Sequence, residues 1–430
     1  MKLHSSLSAP NLLNETKNTF DAIPDHRNTR SKITLADCLM SGLAIFGLKY
    51  PSLLQFEQEK VEEPLGHNLK TLYSVNQAPS DTYLRERLDD VEPHHIRKAY
   101  KKIFSLLQRS KHLEQFAYLD GHYLVSIDGT GYFNSIKVHC DSCCVKNHKD
   151  GTKSYYHNML AAVVVHPGYK EVIPLAPEPI TKQDGHKKND CEQAAAIRLL
   201  KNIRREHPHL KMIIVEDSLS STGPHIQLLK DLNMSFIIGA KQYARDFPFF
   251  DKKLIETHSY IDESGIKHEY KFINNVRLNT SNQNLKVNFL DYYETTPEGK
   301  VHHFTWATDL PLNKNTVHKI MRGRRARWKI ENETFNTLKN QGYHFEHNFG
   351  HGNQYLSTVF ANLMLLAFLI DQVQQLCCKL FQSALAAAKS KIKFWEKVRS
   401  FVLNFAINSW EDLYCIIAKT KRVTLQFDST

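Results

Sequence analysis

No long low-complexity tract interrupts this 430-residue chain, and no N-terminal signal pattern opens it. With 42% hydrophobic residues and no such tract, the chain is globular, long enough for two or three domains and a sizeable core. Cysteine is scarce: eight residues at irregular spacing exclude a disulfide framework and suit a reducing, cytoplasmic setting. No apolar run is long enough to cross a bilayer. The most apolar later stretch, residues 359–370, is bounded by Asp371 and two glutamines and predicts a buried helix. Acid is in deficit, 45 Asp plus Glu against 56 Lys plus Arg. The resulting charge of +11 points to a polyanionic partner if the excess is clustered rather than dispersed.

Residues 1–20 are polar and predict little order. A basic loop follows, with Arg27, Arg30 and Lys32. It lacks a groove-reading motif, which favours a solvated loop over phosphate contact. Thr34 is placed to cap an apolar helix, a second helical stretch covers residues 53–60, and two amphipathic segments flank Pro93. The first 115 residues therefore predict an all-helical region.

From Phe116 the texture changes to strands. The apolar run YLVSIDGTGYFN, residues 123–134, delivers Asp128 beside Gly129 and Gly131 and predicts a hairpin. Val125 and Ile127 would lie in its first strand, Tyr132 and Phe133 in its second. A third strand, HNMLAAVVVHP, precedes a helix over residues 189–205. A short apolar run, residues 210–215, then ends in Glu216 and Asp217. A Ser/Gly-rich loop, a helix over 226–232 and a strand over 235–239 complete a β-β-β-α-β-α-β order. Right-handed crossovers set the fourth and fifth strands parallel to the first, which brings Asp128 and Asp217 to one sheet edge. Residues 240–308 alternate polar and aromatic side chains and predict an inserted antiparallel β unit.

Residues 315–340 predict one long helix. Six bases precede its first acid, Glu331: Lys319, Arg322, Arg324, Arg325, Arg327 and Lys329. Here the charge is clustered. Arg327 stands one turn before Glu331 on the same face, whereas Glu333 is rotated about 200° away. Two carboxylates at parallel strand ends and a third on a helix can hold two Mg²⁺ or Mn²⁺ ions, which prefer oxygen ligands and assist in-line phosphoryl transfer. Helices over 355–373 and 384–405 follow Gly342 and a polar loop.

In their order, SIDGTGYF, IIVEDS and RARWKIENETFNTLK resemble the insertion-sequence DDE transposases over roughly residues 116–370. In one group of that family a β insertion precedes the last acid, and the final helix carries Tyr, Arg, Glu and Lys. The spacings agree: 89 residues separate Asp128 from Asp217, and Glu331 lies 114 further on with the β-rich segment between. Arg327 and Glu331 match the helix motif. Arg324 stands where the family has Tyr, and Lys339 falls one residue late.

The resemblance implies an α/β, RNase H-like catalytic domain in which Asp128, Asp217 and Glu331 are catalytic metal ligands. It also implies DNA cleavage at the element's ends, followed by attack of the freed 3′-hydroxyl on target DNA. Asp217, rather than its neighbour Glu216, is the acid the resemblance selects. Arg324, Arg325, Arg327 and Lys339 would contact DNA, and Trp328 would either stack on an unpaired base or lie in the core. Paired ends imply a homodimer when bound, in the cytoplasm and on the nucleoid.

A second cluster, VHCDSCCVKNH, holds Cys140 and Cys143 at C-x-x-C spacing, with His139 and His148 as candidate further Zn²⁺ ligands. No second C-x-x-C follows, so reduced, unliganded thiols are the favoured state.

The expected organisation is a helical, DNA-binding domain at 1–115 and a catalytic domain in two parts, 116–239 and 309–385. A β-rich insertion, 240–308, divides that domain, and a C-terminal helical region spans 386–430. The alternatives to a transposase are an inactive or domesticated DNA-binding protein of the same fold, or a nuclease without strand transfer.

Overall fold

The computed structural model describes residues 6–25, 32–182, 188–240, 252–279 and 281–421. Arg27 and Arg30 of the basic loop lie outside these.

The described residues up to 115 hold helices and no strand, but helix begins earlier than the polarity of the first twenty suggests. Residues Ala9–Asp21 form a helix with Pro10 in its first turn, burying Leu12, Leu13, Thr16 and Phe20 along one face. Leu35–Gly47 follows. Thr34 caps it, its hydroxyl accepting the Asp37 amide at 3.0 Å, and every residue of this helix is buried. Ser52 and Ser80 cap Leu53–Glu59 and Asp81–Asp89 in the same way.

These helices enclose Leu356–Cys377, which is long and apolar enough to cross a membrane but is 83% buried along its most apolar window and serves as a core helix. Four backbone amides at and just before its start, from Asn353 to Leu356, all donate to the carboxylate of Asp89. Its far end carries Asp371, paired at 2.7 Å with Lys49, which is 1% exposed. Lys49 lies 3.9 Å from the ring centroids of both Tyr343 and Trp395. C-terminal helices Lys379–Ala388, Lys391–Asn404 and Trp410–Ile417 close this half, where one helix had been expected over 384–405. They bond back to the N-terminal region through Asn68 to Val402 and Trp410 to Leu72.

The other half is one mixed sheet of eleven strands: β1 Tyr123–Ser135, β2 Cys144–Asn147, β3 Lys153–Val165, β4 Ile173–Pro174, β5 Glu178–Ile180, β6 Met212–Glu216, β7 Ser235–Gly239, β8 Glu256–Ile261, β9 Lys267–Arg277, β10 Lys286–Thr295 and β11 Val301–Thr308. Its order is β2-β3-β1-β6-β7-β11-β10-β9-β8, with β4 and β5 also on β3. β1, β6 and β7 are parallel. The β-rich segment forms four antiparallel strands that extend the same sheet, β11 pairing with β7.

The hairpin expected at Gly129 is not formed. β1 runs straight through Asp128 and both glycines, antiparallel to β3 from Leu124 to Ser135. Only a bulge between Gly131 and Phe133 marks the irregularity. A long partner strand supplies hydrogen bonds on both sides of the glycines, so the turn signal is overridden by tertiary pairing. The helix Lys188–Glu206 packs on this part of the sheet.

Candidate active site

The parallel register of β1 and β6 decides where the two aspartates stand. Ser126 lies opposite Val215. Two residues further along each strand come Asp128 and Asp217, at the same level and on the same face as that pair. Asp217 follows the last residue of β6 and caps a short turn, Ser218–Ser220, its Oδ1 accepting the Leu219 amide at 2.9 Å. This turn passes so close to β7 that a side chain at Gly239 would come within 2.9 Å of the Ser218 nitrogen.

Glu216 is directed away. Buried to 3% exposure, it pairs at 2.6 Å with Nε2 of His225, from the helix Gly223–Asp231. Burial alone would lower the pKa of His225, but the Glu216 carboxylate outweighs it and raises the value.

The third acid arrives on the helix expected over 315–340, whose backbone is continuous but whose winding changes. Val317–Arg325 is α-helical, Ala326–Trp328 tightens to a 3₁₀ turn, Ile330–Phe335 widens to a π-helical turn, and Asn336–Asn340 is α again. Short π-helical segments of this kind recur at functional sites. Ser126 Oγ donates to the Arg327 carbonyl at 3.1 Å, which holds this segment against the aspartate face of β1.

Arg327 is the hub. Buried to 6% exposure, its guanidinium donates to Asp128 Oδ2 at 2.9 Å and to Glu331 Oε1 at 3.1 Å. Glu331 and Asp128 thus face each other across one cation. Burial raises the pKa of Asp128 to about 6; the Glu331 carboxylate adds to the rise, while Arg327 and the Gly129 amide oppose it. Glu333 lies elsewhere, among Lys329 and Lys391, whose charges it favours.

Arg324 is also buried, at 9% exposure, and its Nε has no hydrogen-bond partner. Burial, helped by the neighbouring Arg327, lowers its pKa to about 9, against the pull of Asp217, Asp128 and Glu216. Asp128 thus neighbours both buried arginines. Glu192, from the helix Lys188–Glu206, stands beside Gly129. It lines a cleft of about 50 Å³ with Asp128 and Asp217, and its Oε1 would lie 3.2 Å from a Cβ at Gly129. The sequence carries no signal for Glu192, since no spacing ties it to either aspartate.

Of the four residues expected to contact DNA, Arg324 and Arg327 are thus inside the acidic site. Arg325 points outward and pairs with Glu294 on β10. Lys339 pairs with Glu346 at 2.7 Å and lines an open groove of about 800 Å³ with Lys146 and His148. Trp328 is 50% exposed, which excludes the core alternative, and its ring stacks 4.8 Å from the Arg327 guanidinium.

A family model described as the transposase DDE domain matches residues 137–369, more than half of the chain. The chain belongs to the DDE transposases. The match contains Asp217 and Glu331 and begins just after Asp128, whose place follows from the β1–β6 register. No curated protein matches the chain in sequence. The sheet, its flanking helices and the N-terminal helical region are those of an RNase H-like transposase domain.

The cysteine cluster is also drawn together, with different histidines from those expected. Cys140 and Cys143 meet His157 of β3 and His351 of the loop after the Glu331 helix. His139 instead stacks on Tyr155, ring centroids 4.3 Å apart, and His148 Nε2 bonds Ser154 Oγ at 2.8 Å. The β2–β3 pairing that follows Cys143 carries His148 away from the thiols, and the stack on Tyr155 engages His139.

Proposed function

We propose that this chain is an insertion-sequence transposase that cuts DNA at the element's ends and joins the freed 3′-hydroxyl to target DNA, with Asp128, Asp217 and Glu331 as its catalytic acids. One observation carries the assignment. An aspartate on β1 and another just past the end of the adjacent parallel strand β6 line one cleft, and a glutamate from a third element shares a buried arginine with the first.

The donors fit Mg²⁺ or Mn²⁺. They are carboxylate oxygens only, and Asp128 and Asp217 line one cleft. Asp128, Asp217 and Glu331 would hold two such ions. When bound, the ions supply Lewis acidity at the scissile phosphate.

The chain's own residues do the positioning. Arg327 holds Asp128 and Glu331 at a fixed separation, and Arg324 offsets the charge of Asp217 from the buried side. Trp328, exposed beside the acids, offers an aromatic face to an unpaired base at the cut. Lys339 and Lys146 line the groove that leads along β1 from the acids and would carry a DNA backbone. In chemical terms, water replaces the 3′-oxygen's bond to phosphorus at the end. The released 3′-hydroxyl then attacks a target phosphorus and displaces a second 3′-oxygen. Paired ends would require two copies of the chain, with the helical residues 1–115 reading the end sequence.

The test is incubation of DNA carrying the inverted repeats that flank the gene with Mg²⁺ and the purified protein. Cleaved ends and joined target are expected from the wild type, and neither from Asp128→Asn. Cleavage without joining would reduce the activity to a nuclease. Equal products from Asp128→Asn would remove Asp128 from the chemistry.

A further inference from the structure

We infer that Cys140, Cys143, His157 and His351 form a structural Zn²⁺ site, separate from the carboxylate site and tying three distant parts of the chain together. The argument is geometric. Cys140 Sγ lies 3.9 Å from Cys143 Sγ and 3.5 Å from His157 Nε2. Cys143 Sγ lies 3.4 Å from His157 Nε2 and 3.4 Å from His351 Nε2. All four ligand atoms fall within 4.8 Å of one another.

A tetrahedral zinc with sulfur at about 2.3 Å and nitrogen at about 2.0–2.1 Å would set sulfur–sulfur edges of about 3.8 Å and sulfur–nitrogen edges of about 3.6 Å. Four of the six separations are within about 0.2 Å of these and the remaining two are under 4.8 Å, so an ion enters with a modest shift of the His351 ring. The sulfur–sulfur distance is also far beyond the roughly 2.05 Å of a disulfide.

The backbone prepares the thiols as well. The two cysteines form a tight turn, with the Cys143 amide bonding the Cys140 carbonyl at 3.2 Å, and the Cys140 amide points at Cys143 Sγ from 3.4 Å. An amide directed at sulfur favours the thiolate that zinc requires. Cys143, His157 and His351 are 1%, 4% and 8% exposed. Binding of Zn²⁺ by two thiols and two neutral imidazoles releases two protons and leaves a site of zero net charge, which suits this burial.

What the ion would hold is equally specific. Cys140 and Cys143 precede β2, His157 lies within β3, and His351 belongs to the loop between the Glu331 helix and the buried helix Leu356–Cys377. Two residues after His351, the chain begins its bonds to Asp89. Zinc would therefore fix the loop that leaves the Glu331 helix, and with it β2, which carries Lys146 into the groove lined by Lys339.

The test is metal analysis of the full-length protein purified without chelator from zinc-containing medium. The wild type should hold about one zinc per chain, the stoichiometry of a four-ligand structural site. Cys143→Ser and His351→Ala should fall at least about tenfold, as ligand loss does to metal affinity. His351→Cys, which keeps a zinc ligand but removes the ring, should retain zinc, whereas a packing role for the ring predicts loss. His139→Ala and His148→Ala should match the wild type.

Should the serine variant fail to fold, Co²⁺ exchanged into the wild type decides the matter. Tetrahedral thiolate coordination gives strong visible and near-ultraviolet absorption, and its absence would overturn the site. Zinc-free wild type with an intact mass two hydrogens light, meaning a disulfide, would overturn it too, as would zinc retained in both Cys143→Ser and His351→Ala. Glu331→Gln should leave the zinc content unchanged. Failure of the transposase assignment and failure of this site are therefore separately visible.

Discussion

Two ligand clusters flank β1, and they differ in nearly every physical respect. At Asp128 the donors are hard carboxylate oxygens, partly open to a cleft, buried enough to raise the Asp128 pKa to about 6 and bridged by a buried guanidinium. Around Cys143 the donors are soft sulfur and nitrogen, three of the four buried, with the Cys143 sulfur within 3.4 Å of both imidazoles. The first arrangement suits an ion that must keep positions open for a phosphate. The second suits an ion that is itself part of the structure. One chain can hold both without exchange because their donor chemistries select different metals.

The largest expected effect breaks only the carboxylate side. Asp128→Asn, Asp217→Asn or Glu331→Gln should each lower Mg²⁺-dependent DNA cleavage by about a thousandfold or more, the scale on which lost transition-state electrostatics is felt. Binding of end DNA and zinc content should be unchanged. Near-normal cleavage by any one variant would take that residue out of the site.

The converse perturbation acts on stability. Stripping zinc, or Cys140→Ser, should lower the melting temperature on the order of 5 °C, the result of a few kcal/mol in a chain of this size. Magnesium should not restore the loss. Equal melting curves with and without zinc would show that the ion, if bound, ties nothing together.

The two clusters were unequally legible in the sequence, for a physical reason. Crossover handedness brings Asp128 and Asp217 toward one sheet edge, while the order of the acids and the choice of Asp217 over Glu216 rest on the family resemblance. Helix geometry sets Glu331, not Glu333, one turn from Arg327, and in the structure Arg327 bonds both Glu331 and Asp128. Cys140 and Cys143 are marked by their local turn, but His157 and His351 join them only through the β2–β3 pairing and a loop 208 residues beyond Cys143. The nearer histidines, 139 and 148, have the better spacing and the wrong surroundings. Gly129 misled for a related reason: a Gly-flanked Asp is turn chemistry in isolation, and only the long partner strand β3 keeps it extended. The helix Ala9–Asp21 is not legible because its polar residues dominate the composition, while five buried positions decide the structure.

A pH experiment sharpens the comparison from the carboxylate side. The folded pKa of Asp128, about 6, lies above its ordinary value of 3.8, so the folded state binds this proton more tightly than the unfolded chain. Its contribution to stability is full below about pH 4 and is lost as the pH rises through 6. In metal-free protein, Asp128→Asn should therefore raise the melting temperature at pH 7.5, by at most about 3 kcal/mol in stability for a shift of this size. The gain should vanish at pH 4. Adding Mg²⁺ at pH 7.5 should stabilise the wild type and not the variant. A variant no more stable than wild type at pH 7.5 would mean that Arg327 already neutralises the site.

The smallest effect separates the basic residues of the Glu331 helix by where they point. Six bases precede Glu331, but the fold divides them. Arg324 and Arg327 are buried among carboxylates, Lys329 donates to the Tyr169 carbonyl and Arg325 pairs with Glu294, whereas Lys319 and Arg322 are exposed on the outer face. Only a base that reaches a phosphate releases a counterion. Lys319→Ala and Arg322→Ala should each flatten the slope of log affinity against log salt by about 0.9 on duplex DNA. Arg324→Ala should leave the slope as it is and impair cleavage, because its charge is spent on Asp217 and its neighbours. If Arg324→Ala flattened the slope while the two outer substitutions did not, the DNA would have to enter the carboxylate site from the buried side of the helix. The division between a contacting face and a compensating face would then be reversed.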